Sequence, residues 1–382
     1  MNKETFCSMP FNSFFLGSDG SVRPCCSLRG QLGDINTNTV GEIVNGPIAT
    51  SIRQSIVNGE WHPMCSQCKE LEQRGARDER VSTLFNFDNM KDYTPDVYRL
   101  EKLDIRWSNT CNLTCTYCYE YFSSKWAELK GIKVNANKSD AEEKVFAFIE
   151  KNVDNISNIN LLGGEPLLQK PNIRLLDMLK PSTSIYILTN LTVPLESNKI
   201  AQKLLENKNV GWGISFETIG KRFEYVRHGG EWDRLVKNFR FLRDNQARCI
   251  DSHPLYCVYS AFNLVEYFEF LESEGYFGNQ YWQVLQSAPG LDVFKLPKAM
   301  QAKALLELEK CFDRFGTKFN MTLLKNIYDA LGKSVISSPS TRPCVDWLTY
   351  IDSMIPGKKE EFKVLWPDLQ SEFEIYLQNT HQ

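Results

Sequence analysis

The loop Arg106-Trp107-Ser108-Asn109-Thr110-Cys111-Asn112-Leu113-Thr114-Cys115-Thr116-Tyr117-Cys118-Tyr119 constrains the chain more than any other stretch. Its three cysteines stand at C-x3-C-x2-C spacing, directly after a segment whose apolar residues alternate as in a strand (Leu103, Ile105, Trp107). Thiolates spaced so closely converge on one metal centre, and sets of thiolates favour zinc or iron–sulfur clusters. The ligand count bears on that choice. A closed structural zinc site takes four protein ligands, and the next His or Cys after Cys118 is His228. Three cysteines on a cube of four irons leave one iron without a protein ligand, where a reactive group can bind.

At 382 residues the chain has room for two domains, or for one α/β barrel-like domain with additions. Its net charge of −3 excludes the electrostatic footprint of a nonspecific nucleic-acid binder. No apolar run is long enough for a bilayer, and Met1-Asn2-Lys3-Glu4 leads into no signal-peptide core. The expectation is a cytoplasmic protein with neither membrane nor nucleic-acid partner. Of twelve cysteines, seven fall into patterned groups: 7 and 25, 65 and 68, then 111, 115 and 118. In a cytosolic chain such patterns argue for metal rather than disulfides. With four histidines, a His-rich hydrolase site is disfavoured.

Residues 1–92 read as a compact cysteine-bearing module. Asp19-Gly20 is a hairpin signal that brings Cys7 and Cys25 together, and apolar residues from Ile43 to Val57 predict short amphipathic helices returning the chain to Cys65-Ser66-Gln67-Cys68. Four thiolates then close a metal centre. Over 93–297, strand patterns at 103–107, 159–162, 185–189, 210–217, 255–262 and 281–286 alternate with helical ones, among them a capping box at Ser139-Asp140-Ala141-Glu142. Six βα units with right-handed crossovers predict an α/β fold, a partial (β/α)6 barrel with its reactive groups at the C-terminal strand ends. Residues 298–382 turn helical and are expected to cap the open side, with an irregular stretch over 337–347 that holds Cys344.

The triad, with aromatic Tyr117 just before its last cysteine, resembles the radical S-adenosylmethionine (radical SAM) superfamily. About one βα unit later, Leu162-Gly163-Gly164-Glu165-Pro166 resembles that family's SAM-binding strand end. The resemblance implies a [4Fe–4S] cluster on Cys111, Cys115 and Cys118 whose open iron is chelated by SAM. It also implies reductive cleavage to a 5′-deoxyadenosyl radical that abstracts hydrogen from a substrate. On the same basis Glu165 orients the SAM amino group and Asn190, Ser215 and Glu217 supply polar contacts. Arg227 pairs with the SAM carboxylate. The first 92 residues resemble the SPASM/twitch domains that carry auxiliary [4Fe–4S] clusters, through Cys7, the Gly20-x4-Cys25 step and the Cys65-x2-Cys68 pair. Two departures stand out. The module precedes the barrel, and no cysteine follows Cys68 within 71–80, so one twitch-like cluster is expected. The Gly-x4-Cys step favours Cys25 over Cys26, and a zinc ribbon is the plainer reading of the same four ligands.

These features imply a radical SAM enzyme acting on a ribosomally made peptide, by epimerisation or crosslinking, with a flavodoxin- or ferredoxin-type electron donor. In an epimerase, Cys344 is the candidate donor that returns a hydrogen atom. Oxidation or rearrangement of a small metabolite, with the auxiliary cluster as electron acceptor, is the alternative. A third class is a non-enzymatic zinc- or cluster-binding adaptor.

Overall fold

The computed structural model describes residues 2–73, 80–81, 83–84, 93–133, 139–245, 249–276, 278–285, 288–337 and 343–370. The chain divides into two compact units. The first comprises Met1–Thr110, Val134–Leu188 and Glu196–Gly211; the second comprises Cys111–Lys133, Thr189–Leu195 and Trp212–Gln382.

The first unit is built on a mostly parallel sheet. Its strands are β1 (Ser13–Leu16), β2 (Ser21–Arg23), β3 (Gly33–Asp34), β4 (Lys102–Ile105), β5 (Asn158–Leu161), β6 (Ser184–Thr189) and the start of β7 (Val210–Ile214). They run in the order β3-β2-β1-β4-β5-β6. Strands β1, β4, β5 and β6 are parallel to one another, whereas β1-β2-β3 is an antiparallel meander. The Asp19-Gly20 turn forms as expected: Gly20 takes φ 88°, and the Asp19 carboxylate accepts from Ser21 N at 3.1 Å and Ser21 Oγ at 2.7 Å. Alternation in β4, β5 and β6 buries Leu103, Ile105, Ile159, Leu161, Ile185 and Ile187. Asp104, Asn160 and Tyr186, in register across the three strands, fall on the half-buried face. Pairing of β1 with β4 puts the cysteine-bearing N-terminal segment in the same sheet as the strand before the cysteine loop.

In the second unit, the end of β7 lies beside β8 (Cys249–Ser252), and β9 (Leu255–Tyr256) pairs in parallel with β10 (Gln283–Val284). Among the described residues, the strand order closes into a ring in neither unit. The strand predicted over 255–262 stops at Tyr256. Ser260 accepts from Cys257 N at 3.1 Å and donates to Leu255 O at 2.7 Å, folding the apolar run into a turn. Helices stand at Pro171–Met178, Lys199–Glu206, Trp232–Asp244, Leu264–Ser273, Lys298–Phe315 and Thr322–Ser337. The side chain of Ser139, first residue of the capping box, lies outside the described residues. Helix Pro343–Met354 replaces part of the irregular stretch expected over 337–347. Pro343 at its first position has the preset φ that suits a helix start. No described helix is long and apolar enough to cross a membrane.

Candidate active site

The cysteine loop opens the second unit and is pinned through its backbone by neighbouring side chains and backbone groups. Cys111 N donates to Ser124 Oγ at 3.1 Å, Ser123 Oγ to Leu113 O at 2.7 Å, and Trp126 Nε1 to Cys115 O at 2.9 Å. Backbone bonds from Thr114 N to His228 O (2.9 Å) and from Thr116 N to Val226 O (2.8 Å) fasten its far side. Cys115 is buried, and Cys111 and Cys118 are half-buried. Burial pushes the Cys118 thiol up to about 12 and lifts Cys115 well above its ordinary value; each is raised further by its neighbouring thiols. Cys115 and Cys118 are thus coupled to each other and to Cys111, and a metal bound to such thiols would draw off their protons.

Tyr117 projects from the loop toward a buried ion pair. Its hydroxyl lies 3.3 Å from Glu217 Oε1, and Arg227 Nη2 lies 2.8 Å from Glu217 Oε2. Burial disfavours the Arg227 charge, but Glu217, then Tyr117 and Cys115, outweigh it, so the guanidinium stays charged. Its Nε is buried and has no hydrogen-bond partner among the described residues. An orphaned donor on a buried cation suits an anionic ligand such as a carboxylate. Ser215, just past β7, donates its backbone N to Thr189 O at 2.9 Å. Asn190, just past β6, donates from Nδ2 to Asn112 Oδ1 at 3.0 Å.

The Gly163-Gly164-Glu165 turn belongs to the first unit, where it packs on the approach to the cysteine loop. A Cβ on Gly164 would come within 2.5 Å of Asn109 O and closer still to Thr110 O. Gly163 has φ 122° with Gln169 against it. Glu165 N donates to Thr110 O at 2.7 Å, and the fully buried Glu165 carboxylate accepts from Leu167 N at 3.1 Å. Sequence reasoning missed Gln169, which is 2% exposed. Its Oε1 accepts from Trp107 N at 3.0 Å and its Nε2 donates to Leu162 O at 3.1 Å, tying the two loops together. A lone Gln after an apolar turn gives no signal of this.

A second cysteine set lies within the first unit. Cys7, Cys25, Cys65 and Cys68 line one cavity together with Trp61 and Arg80. Burial raises Cys7 to about 12 and Cys65 to about 11, and lifts Cys25 well above its ordinary value; neighbouring thiols add to each. Cys26 is exposed and absent from the cavity wall. The loop after Cys25 is held to the turn before Cys65 by Arg29 N donating to Met64 O at 2.9 Å, and His62 Nδ1 caps that turn by accepting from Met64 N at 3.2 Å. Arg80, which the sequence did not single out, reaches the backbone before Cys7 (Lys3 O and Phe6 O, both 3.0 Å) and pairs with Glu72 beyond Cys68. Among the described residues, no group of three His, Cys, Asp or Glu side chains is drawn tightly enough for one metal ion. A four-iron cube asks for a wider set, with each sulfur on its own iron. The backbone of Cys344 begins helix Pro343–Met354, and its side chain lies outside the described residues.

A model of the radical SAM superfamily matches residues 105–271, and one of an iron–sulfur cluster-binding domain, SPASM, matches residues 7–69. Over 89 residues the chain is 35% identical to 7-carboxy-7-deazaguanine synthase of Clostridium acetobutylicum, covering 23% of this chain and 36% of that protein. Over 148 residues it is 26% identical to GTP 3′,8-cyclase of Peptoclostridium acidaminophilum, covering 37% and 42%. The chain thus spans less than half the length of either curated relative. Among solved structures, SuiB of Streptococcus suis bound to precursor peptide SuiA aligns at 17% identity over 71% of this chain and 61% of that one, with a TM-score of 0.42. Native anSMEcpe with bound AdoMet and Kp18Cys peptide aligns at 15% identity over 56% and 61%, with a TM-score of 0.43. The two family matches cover both cysteine sets: residues 105–271 carry a radical SAM domain and residues 7–69 a SPASM iron–sulfur cluster-binding domain.

Proposed function

We propose that this chain is a radical SAM enzyme that modifies a peptide. Cys111, Cys115 and Cys118 hold one [4Fe–4S] cluster and Cys7, Cys25, Cys65 and Cys68 hold an auxiliary one. Reductive cleavage of SAM to a 5′-deoxyadenosyl radical, which takes hydrogen from the substrate, is the chemistry supplied when cluster and SAM are bound. The chain's own residues bind, orient and insulate. Arg227, held charged by Glu217 and with Nε uncommitted, receives a carboxylate. Tyr117 closes the buried side of the loop, and Asn190 and Ser215 offer polar groups at strand ends, as do Gly163, Gly164 and Glu165 in the first unit. A flavodoxin- or ferredoxin-type protein supplies the electron.

The single observation that supports this reading is the pairing of a three-thiol set with a separate four-thiol cavity, each buried and electrostatically coupled within itself. The auxiliary domain supports peptide modification by epimerisation or crosslinking. Oxidation or rearrangement of a small metabolite is the second reading, favoured by the partial likeness to two enzymes named for small-molecule products.

Anaerobic reconstitution is expected to yield a brown protein with about eight irons per chain and an EPR signal that changes on adding SAM. With dithionite and SAM it should form 5′-deoxyadenosine, and Cys115→Ala should abolish that. The substrate class is read from deuterium. A deuterated cell extract is split by ultrafiltration, and label entering 5′-deoxyadenosine from the peptide fraction supports the first reading. Label from the small-metabolite fraction alone would replace it with the second. Two zincs and no colour would remove both.

A further inference from the structure

Around Cys111 three side chains form a closed ring of hydrogen bonds. Asn190 Nδ2 donates to Asn112 Oδ1 (3.0 Å), Asn112 Nδ2 donates to Thr192 Oγ1 (2.8 Å), and Thr192 Oγ1 donates back to Asn190 Oδ1 (2.7 Å). All donors run in one sense around the ring, which strengthens each bond. The orientation of the Asn190 amide is fixed independently. Thr192 N, which can only donate, lies 2.9 Å from Asn190 Oδ1. The oxygen end therefore faces Thr192, and the NH2 end faces the cysteine loop. One hydrogen of that NH2 serves Asn112, and the other points to Cys111 Sγ at 4.0 Å, the outer reach of an N–H···S bond.

The backbone supports the same arrangement at a cost. Leu191 takes φ 56°, the left-handed region that a branched L residue rarely occupies. It is held there from both sides. Leu191 N donates to Thr189 Oγ1 at 3.0 Å, and Asn238, from helix Trp232–Asp244, donates to Leu191 O at 2.7 Å and Val193 O at 2.8 Å. The Leu191 side chain is fully buried. Holding the chain there places Thr192 N and Oγ1 together on the Asn190 amide oxygen.

We propose that Asn190 donates a hydrogen bond to the Cys111 sulfur and thereby raises the reduction potential of the [4Fe–4S] cluster held there. Asn112, Thr192 and Asn238 act as positioning residues. This rests on the function proposed above and assigns Asn190 a task separate from contact with SAM. Reduction adds negative charge to the cluster and its sulfurs, and a donor on a ligand sulfur stabilises that form.

The test is a potentiometric titration of the whole reconstituted chain, followed by EPR, in the absence of SAM. The signal of this cluster is first identified by its change when SAM is added. Asn190→Ala should lower its midpoint so that the reduced form is about tenfold rarer at a given potential, about 59 mV for one electron. The auxiliary signal should not move. Thr192→Val should lower the midpoint in the same direction, and Thr192→Ser, which keeps the hydroxyl, should restore it. The Thr192 pair reads the same property if Asn190→Ala fails to assemble its cluster. A parental midpoint in Asn190→Ala or in Thr192→Val would overturn the inference. So would a loss of SAM affinity in Asn190→Ala with an unmoved midpoint, which would give Asn190 to SAM. Absence of any SAM-responsive cluster in the parent chain would instead sink the proposed function, and this inference with it.

Discussion

His253 shows how burial tunes one residue away from the cysteines. Its ring packs against Tyr281 at a tilt with centroids 4.9 Å apart, and burial lowers its imidazole to about 4, with Asp251 opposing. The folded pKa is thus depressed below the unfolded one. Between about pH 6.5 and 4 the unfolded chain binds a proton that the folded chain refuses, so stability is full above that window and falls as pH drops through it. Thermal unfolding of the parent chain and of His253→Gln across this range is expected to differ in slope by roughly 1.4 kcal/mol per pH unit; parallel curves would show that His253 is not the cause. At this scale the patterned cysteines were legible because spacing is written in the chain. Their partners were not. Thr192, Gln169, Asn238 and Arg80 are ordinary polar residues whose importance lies in what they touch across dozens of positions.

At the scale of elements, the Gly-Gly-Glu-Pro turn illustrates what a motif requires physically. Gly164 has no space for a side chain because the carbonyls of Asn109 and Thr110 press on it. Gly164→Ala is expected to cost about 1–3 kcal/mol, since backbone cannot retreat as a flexible side chain can. A drop in the urea midpoint, with poorer iron incorporation at the adjoining loop, would register it; an unchanged midpoint would count against the packing. Strands β4, β5 and β6 were readable because alternation is a local property of each. The run 255–262 misled for the opposite reason. Apolar residues without alternation fit a buried strand or a buried turn equally, and the Ser260 hydroxyl selected the turn. Strand β8 was missed because Asp251 interrupts its apolar character, although that carboxylate is buried and accepts from Asn279 N at 3.2 Å.

For the whole molecule, two cysteine sets imply two centres that can be emptied separately. Cys25→Ser is expected to halve the iron from about eight to about four per chain while leaving the SAM-responsive EPR signal. Cys26→Ser, at an exposed position outside the cavity, should leave iron content as it is. Loss of iron in Cys26→Ser would reverse that assignment. The sequence by itself determined the number of thiols, their grouping and the alternation of strands and helices, because spacing, turn chemistry and periodicity act within a few residues. Only the tertiary structure decided that β1 runs parallel to β4 and that the Asn190 amide is turned toward Cys111. Each of those outcomes depends on groups far apart in the chain, whose meeting is fixed by burial and hydrogen-bond satisfaction over the folded molecule rather than by any local pattern.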